Sequence, residues 1–173
     1  MFEIEPGVIS IGPSSELEVR SSVFASRGSR RLYFGGNGLG KTSLFRYISG
    51  ERKASPEQSR HMPRILIDGQ PMPPLPRDVC AFVPQSPRDG LFGLPVFEEL
   101  QTASDTIDKL FLQTLVELLQ LTPFMSRFSY ELSDGERMRT SIAAALVAEK
   151  DWLILDEWST HLDPTWQSEI AQY

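Results

Sequence analysis

The chain has 173 residues, 40% of them apolar, so it is the size of one domain and can bury a core. Acidic side chains outnumber basic ones by 23 to 17, and the net charge of −6 argues against a nucleic-acid-binding surface. Cys80 is the only cysteine, which excludes a disulfide framework within the chain. The acidic start MFEIEPG does not resemble a secretory signal, and the longest apolar run, IAAALVA, is far shorter than the ~20 residues that span a bilayer. We therefore expect a soluble, cytoplasmic protein.

The first third of the chain predicts short strands around a glycine-rich loop. Strands are expected at residues 8–11, 21–24 and 30–34, and the last of these leads directly into the loop. Residues 41–49 place apolar side chains at helical spacing, and Gly50 provides a C-terminal stop. The order strand, glycine loop, helix is the local context that a phosphate-binding loop requires.

The middle of the chain predicts two further strands separated by a proline-rich segment. Residues 64–70 form a strand that ends in an Asp-Gly turn. Residues 71–77 contain four prolines and are expected to form neither strand nor helix. The run VCAFVPQ predicts a buried strand ending at Pro84, with Cys80 as a small buried hydrophobe.

Two helices and a short strand complete the pattern. A helix is predicted over 105–121 with Asp105 as its N-cap, a second over 134–150, and a strand over 152–155. Strands and helices alternate, which predicts an α/β fold with a mainly parallel core sheet. The apolar face of the first helix comprises Ile107, Leu110, Leu115, Leu118 and Leu119.

The glycine loop, GGNGLGKTS, has the composition of an anion-binding site. Four residues separate Gly35 from Gly40, and Lys41 and Thr42 follow Gly40 directly. Glycines allow successive N–H groups to point inward at a helix N-terminus, where they bind phosphate. Lys41 would reach the β- and γ-phosphates, and the Thr42 hydroxyl would ligate Mg²⁺.

A metal held by a phosphate loop usually has a carboxylate partner at the end of another strand. The run WLILDE supplies Asp156 for this role. The next residue, Glu157, is placed to polarise an attacking water.

Four motifs in the same order resemble the nucleotide-binding domain of the ABC ATPases. The glycine loop resembles the Walker A motif, Gln85 in FVPQSP resembles the Q-loop glutamine, and ELSDGERMR resembles the LSGGQ signature. The run LILDEWSTHLDP resembles Walker B followed by the D-loop, with Asp163 as the D-loop aspartate. The resemblance implies a P-loop NTPase with a small antiparallel β subdomain and a helical subdomain, in which residues 1–90 and 150–173 form the core and residues 91–149 the helical part.

The resemblance also implies the roles of individual residues toward ATP and Mg²⁺. Glu157 and Gln85 would be catalytic, and Thr42, Gln85 and Asp156 would hold the metal. Ser133 and Gly135 would contact the γ-phosphate held by a second ATP-binding domain, so that two ATP molecules lie in a head-to-tail dimer. The residues implied in nucleotide binding are Gly35, Asn37, Gly38, Gly40, Lys41, Thr42, Ser43, Ser133, Gly135 and Asp163.

The sequence departs from the family pattern in several places. Asp134 and Glu136 replace the Gly and Gln of the signature, and Trp158 replaces a proline, where we expect it to pack against the neighbouring helix. The chain ends at Tyr173, before the strand and switch histidine that the family pattern places next, and neither His61 nor His161 can take that role. We therefore expect a single ABC domain, incomplete at its C-terminus, whose 173 residues alone are unstable and inactive as an ATPase.

Three functional interpretations remain open on the sequence alone. PQSPRDGLFGLPVFEEL resembles the Q-loop region of the cobalt and vitamin (energy-coupling factor) importers, which implies an ATP-binding subunit on the cytoplasmic face of the membrane. Its partner would be a transmembrane permease subunit, facing Gln85 and the helical segment near 91–121. A non-transport ABC protein is the second interpretation. A nucleotide-binding module with degenerate hydrolysis, suggested by the altered signature and the absent histidine, is the third.

Overall fold

The computed structural model describes residues 1–12, 15–26, 28–31, 33, 36, 38–51, 63–72, 79–104, 106–162 and 166. The chain divides into two compact units, Met1–Cys80 and Ala81–Tyr173. The predicted division into a core of 1–90 and 150–173 and a helical part of 91–149 stays a prediction.

A four-stranded antiparallel sheet organises the first unit. Strand β1 (Phe2–Ile4) lies at its centre. The strand pairs on one side with β4 (Val23–Ala25) and on the other with β5 (Ile65–Ile67), and β5 pairs with β6 (Gln70–Met72). Strands β2 (Gly7–Gly12) and β3 (Ser15–Val19) form a separate antiparallel hairpin. These pairings agree with the antiparallel subdomain expected from the sequence.

Two local predictions in this unit need correction. The strand expected at 30–34 is not seen, because Arg30, Arg31 and Tyr33 have no strand assignment and Leu32 and Phe34 lie outside the described residues. Residues 71 and 72 were expected to be excluded from strands, yet Pro71 lies within β6. Strand β6 is at the edge of its sheet, where a proline can be accommodated because its missing N–H is not needed to pair with a further strand.

Helix α1 (Lys41–Ile48) follows the glycine loop as predicted. Ser49 is its C-cap, and Gly50, at φ +73°, follows in the left-handed conformation that commonly ends helices. The core of this unit is mainly apolar and includes Tyr47, whose hydroxyl donates to the Pro63 carbonyl. It is formed by Phe2, Ile4, Ile9, Val19, Tyr47, Ile48, Ile65 and Leu66.

The second unit contains three helices and a two-stranded sheet of β7 (Cys80–Val83) and β8 (Trp152–Leu155). The helices are α2 (Val96–Thr102), α3 (Lys109–Leu118) and α4 (Asp134–Val147). Short 3-10 turns cover Thr122–Phe124, Ser129–Glu131 and Trp158–His161. The buried core includes Val83, Val96, Leu100, Val116, Leu119, Leu121, Leu132, Met138, Ile142, Ala143, Leu162 and Trp166.

Three expectations for this unit can be compared with the structure. Helix α3 begins after Asp108, which accepts hydrogen bonds from the N–H groups of Leu110 and Phe111, so the predicted N-cap at Asp105 was wrong. Leu110 was expected on the buried face but is 73% exposed. Trp158 packs against the core cluster beside α4, as predicted. Cys80, at the end of the first unit, is buried, and burial raises the pKa of its thiol to about 12.

Candidate nucleotide-binding and catalytic site

The glycine loop enters α1 through two residues with left-handed backbone. Gly38 and Gly40 both have φ near +83°, a conformation that costs an L-residue roughly 1–2 kcal/mol. Gly40 is the N-cap and offers no side chain to the first helical N–H groups. A Cβ on Gly40 would lie 2.9 Å from Leu17 Cδ1, so the loop is packed against β3 at this point. Glycine at Gly40 therefore avoids a strained backbone and a contact that would displace the Leu17 side chain.

Lys41, Thr42 and Ser43 form the first turn of α1, which contains no acidic residue. Helix N-termini carry a partial positive charge and unsatisfied N–H donors, so this turn suits an anion. The Lys41 ammonium donates to the Gly36 carbonyl across 3.1 Å and folds back over the loop. These three predicted residues are described, whereas Gly35 and Asn37 lie outside the described residues.

The end of β8 carries the two acidic residues predicted for metal binding and catalysis. Asp156 is fully buried, and its N–H donates to the Val83 carbonyl at the end of β7. Glu157 follows in a left-handed conformation, with φ +47° and ψ +28°. Non-glycine residues with this backbone are uncommon and cluster at functional sites. The turn that follows is closed by hydrogen bonds from the N–H and hydroxyl of Thr160 to the Glu157 carbonyl.

Gln85 and Glu157 contact each other although 72 positions separate them. The Gln85 side-chain amide, Nε2, donates to Glu157 Oε2 across 2.6 Å. Gln85 follows β7 and Glu157 follows β8, so the pairing of these strands explains their proximity. The two residues predicted to be catalytic are thus placed together in one unit.

The predicted Mg²⁺ ligands are oxygen donors of the kind that the ion prefers. They comprise the Thr42 hydroxyl, the Gln85 amide oxygen and the Asp156 carboxylate. Within the described ranges there is no group of three or more His, Cys, Asp or Glu that could hold a metal. Mg²⁺ keeps several waters and binds through one or two carboxylates together with phosphate oxygens, so a single carboxylate such as that of Asp156 is compatible with the ion.

The signature segment, defined as residues 129–136, runs into the N-terminus of α4. Ser133 is the N-cap, and its hydroxyl accepts a 3.3 Å hydrogen bond from the Glu136 N–H. Glu136 in turn accepts the Ser133 N–H across 2.8 Å, which completes a capping box. This backbone hydrogen bond is the main cause that holds the pKa of Glu136 below 4.5, while its partial burial acts in the opposite direction.

The second acidic departure, Asp134, is paired with basic side chains. Arg137 Nη1 lies 2.8 Å from Asp134 Oδ1, and Arg88 Nε lies 3.9 Å from the same oxygen. Both unusual carboxylates of the signature segment are thus engaged within the unit. Gly135 lies between them in the first turn of α4, whereas the D-loop residue Asp163 is outside the described residues.

Residues 20–160 match the ABC transporter family. The chain belongs to this family. The α/β P-loop NTPase fold expected from the sequence is confirmed by solved ABC proteins that resemble the chain over 99% of its length.

Two relatives and two solved structures illustrate the similarity. An energy-coupling factor transporter ATP-binding protein of Thermotoga maritima is 31% identical over 152 residues, covering 84% of this chain and 56% of the relative. A molybdenum import ATP-binding protein of Bradyrhizobium diazoefficiens is 31% identical over 149 residues, covering 81% of this chain and 16% of the relative.

Among solved structures, cbiO1 from Clostridium perfringens, part of the ABC transporter complex cbiONQ, has a TM-score of 0.74. It is 26% identical to the chain, which spans 70% of its length. A bacterial Atm1-family ABC exporter with ATP bound has a TM-score of 0.79 at 22% identity, with 31% of that chain covered. The chain spans little more than half the length of the energy-coupling factor relative.

The two histidines and the membrane-spanning potential of the helices were also considered in the sequence. His61 and the side chain of His161 lie outside the description. No helix in the described ranges is long and apolar enough to cross a membrane.

Sequence reasoning missed one functional candidate, Glu99 on α2. This carboxylate is 2% exposed. It accepts hydrogen bonds from the N–H groups of Phe92 and Leu94 and from the Ser129 hydroxyl. The only local signal was an acidic residue between Val96 and Leu100 in an otherwise amphipathic helix.

Proposed function

We propose that the chain is the ATP-binding part of an ABC transporter subunit and that the full-length subunit hydrolyses MgATP. The observation that carries this proposal is the 2.6 Å hydrogen bond from Gln85 to Glu157, beside the buried Asp156. A carboxylate fixed in this way can accept a proton from water while that water attacks the γ-phosphate.

Each residue has a defined part in the proposed reaction. The N–H groups of the glycine loop and Lys41 hold the phosphates, and Thr42 and Asp156 supply oxygen ligands to the metal. Mg²⁺, when bound, neutralises the charge that develops on the phosphate oxygens. Glu157 takes the proton of the attacking water, and Gln85 keeps its carboxylate in place.

The transport partner is proposed to be a transmembrane permease subunit, which the chain binds at the cytoplasmic face of the membrane. Aromatic side chains in the second unit are exposed, among them Phe92 at 79% and Tyr130 at 66%. Phe128 stacks on Tyr130 with 5.2 Å between ring centroids. Exposed aromatic side chains are typical of protein interfaces, and both solved relatives named above belong to transporters.

A second ATP-binding domain is proposed to complete the nucleotide site through Ser133 and Gly135. The capping box and the Asp134–Arg137 pair favour this over a degenerate signature, because both additional carboxylates already have partners in the segment. Their charges are therefore partly compensated before a γ-phosphate approaches.

Nucleotide binding by the chain is tested with Lys41→Ala. Lys109→Ala is a matched control, because Lys41 and Lys109 are each the first residue of a helix, after the N-caps Gly40 and Asp108. Losing a charge-assisted contact to phosphate should weaken MgATP binding by roughly 10–100-fold, whereas the control should bind as the unchanged chain does. Titration calorimetry measures both, and equal affinities for the two variants would contradict the assignment of the glycine loop.

Transport is tested separately by affinity purification from solubilised membranes of the source cells. The tagged chain should bring down an integral membrane protein, and Phe92→Asp and Tyr130→Asp should reduce its recovery while MgATP binding persists. Recovery unaffected by either substitution would contradict the proposed permease surface without affecting the proposed ATPase activity.

A further inference from the structure

A buried carboxylate organises the loop that carries the exposed Phe92. Glu99 accepts the Phe92 N–H with both oxygens, at 2.9 and 3.0 Å, and the Leu94 N–H at 2.9 Å. Residues 91–94 are here called the aromatic loop. A buried carboxylate is costly unless it is fully hydrogen-bonded, and these donors lie in the loop rather than in α2 itself. The position of the aromatic loop is therefore tied to Glu99.

The same carboxylate contacts the start of the signature segment. The Ser129 hydroxyl donates to Glu99 Oε1 across 3.0 Å, and both side chains are buried. The Ser129 N–H also donates to the Leu94 carbonyl across 2.9 Å. The aromatic loop and Ser129 are thus connected twice, once through the backbone and once through Glu99.

Ser129 is connected in turn to Arg137, whose side chain is 5% exposed. Arg137 Nε donates to the Ser129 carbonyl across 2.8 Å. Its other nitrogens reach the Tyr130 carbonyl at 3.0 Å, the Leu132 carbonyl at 2.7 Å and Asp134 Oδ1 at 2.8 Å. One planar guanidinium thereby holds four points of the signature segment, on both sides of the N-cap.

We propose that Glu99 and Arg137, joined through Ser129, are positioning residues that fix the signature segment relative to the aromatic loop. The consequence for transport rests on the proposed function, in which Phe92 of the aromatic loop faces the permease and Ser133 and Gly135 of the signature segment face nucleotide. A displacement at one end is transmitted to the other, because hydrogen bonds weaken steeply when their length or angle changes. Buried networks in which each group is satisfied are rigid, and the packed side chains around this one oppose independent movement.

Amide hydrogen exchange of the 173-residue chain without nucleotide tests the proposal. Glu99→Gln keeps the shape of the side chain but leaves one acceptor oxygen and places an NH₂ group against N–H donors. Glu98→Gln is the matched control, since Glu98 is exposed one position earlier on α2. We expect exchange at the amides of residues 92, 94 and 133–137 to accelerate about tenfold in Glu99→Gln and to stay unchanged in the control.

The amides of residues 142–146, farther along α4, separate positioning from general destabilisation. They should retain their protection in Glu99→Gln. Acceleration confined to residues 92 and 94 would overturn the proposal, because Glu99 would then serve only its own loop. Equal acceleration throughout α4 would overturn it as well, because the effect would be loss of global stability.

Ser129→Ala provides a milder second variant. It removes the hydroxyl that contacts Glu99 and retains the carbonyl that contacts Arg137. When Glu99→Gln is added to Ser129→Ala, amide exchange at residues 92 and 94 should accelerate as it does in Glu99→Gln alone. At residues 133–137 the further acceleration caused by Glu99→Gln should be about twofold or less. An undiminished effect would show that Ser129 does not connect the two. None of these readouts requires ATP or a permease, so failure here is distinct from failure of the proposed function.

Discussion

Gly40→Ala should destabilise the first unit more than Gly38→Ala, although the two glycines share the same φ of +83°. Left-handed backbone costs an alanine roughly 1–2 kcal/mol at either position. Only at Gly40 would the new Cβ also approach Leu17, at 2.9 Å from Cδ1 and 3.1 Å from Cδ2, whereas nothing lies within 4 Å at Gly38. Moving the leucine off its rotamer adds about 0.5–1.5 kcal/mol, so the expected totals are about 1.5–3.5 and 1–2 kcal/mol.

Urea unfolding followed by far-ultraviolet circular dichroism, without nucleotide, measures both free energies of unfolding. Adding Leu17→Ala to each variant isolates the contact. The coupling energy between Leu17→Ala and Gly40→Ala should be about 0.5–1.5 kcal/mol, in the direction that offsets the loss caused by Gly40→Ala. Leu17→Ala and Gly38→Ala should show no coupling energy. Equal losses for the two glycines and no coupling to Leu17 would refute the packing of the loop against β3. Two neutral substitutions would refute the left-handed backbone itself.

Two other predictions concern acid stability and core packing. The pKa of Glu136 is lowered by the Ser133 N–H, so its capping contribution is present above pH ~4.5 and is lost as pH falls through the lowered folded-state pKa. A glutamine at position 136 keeps the capping box but does not titrate. Between pH 6 and pH 3 the melting temperature of Glu136→Gln should therefore fall less than that of the unchanged chain. An equal fall in the two proteins would contradict the role of the carboxylate. Leu100 is fully buried, so Leu100→Ala should lower the free energy of unfolding by about 2–5 kcal/mol. Leu110 is 73% exposed, so Leu110→Ala should lower it by less than about 0.5 kcal/mol. Similar losses for the two variants would contradict the described core.

Local sequence signals predicted the elements whose cause is local. Helix α4 begins where Ser133 and Glu136 form a capping box, which is visible in four consecutive residues. The N-cap of α3 was misplaced because Asp105 and Asp108 offer the same chemistry three residues apart, and only the backbone decides which one caps. Strand β1 was not predicted, since three residues are too few for a periodic pattern and its partners lie 20 and 60 positions away.

In the candidate site, too, the features with local sequence signals could be predicted and those that depend on distant contacts could not. Lys41 and Thr42 could be assigned from their immediate neighbours, since glycine spacing, strand and helix are contiguous. The contact between Gln85 and Glu157 has no local signal: the end of the run WLILDE indicated Glu157, the resemblance to a family supplied Gln85, and neither predicted their hydrogen bond. Glu99 was missed because its three donors come from the chain before and after α2, and burial of a charge is a property of the fold.

Phosphate release with saturating MgATP, from the unchanged full-length subunit and from its Glu157→Gln variant, tests the proposed ATPase activity most directly. Removing the carboxylate that accepts the proton from water should slow hydrolysis by roughly 10²–10⁴-fold. Binding of MgATP by calorimetry should be retained, because Lys41, Thr42 and Asp156 are unaltered. A Glu157→Gln variant that hydrolyses ATP as fast as the unchanged subunit would contradict the account.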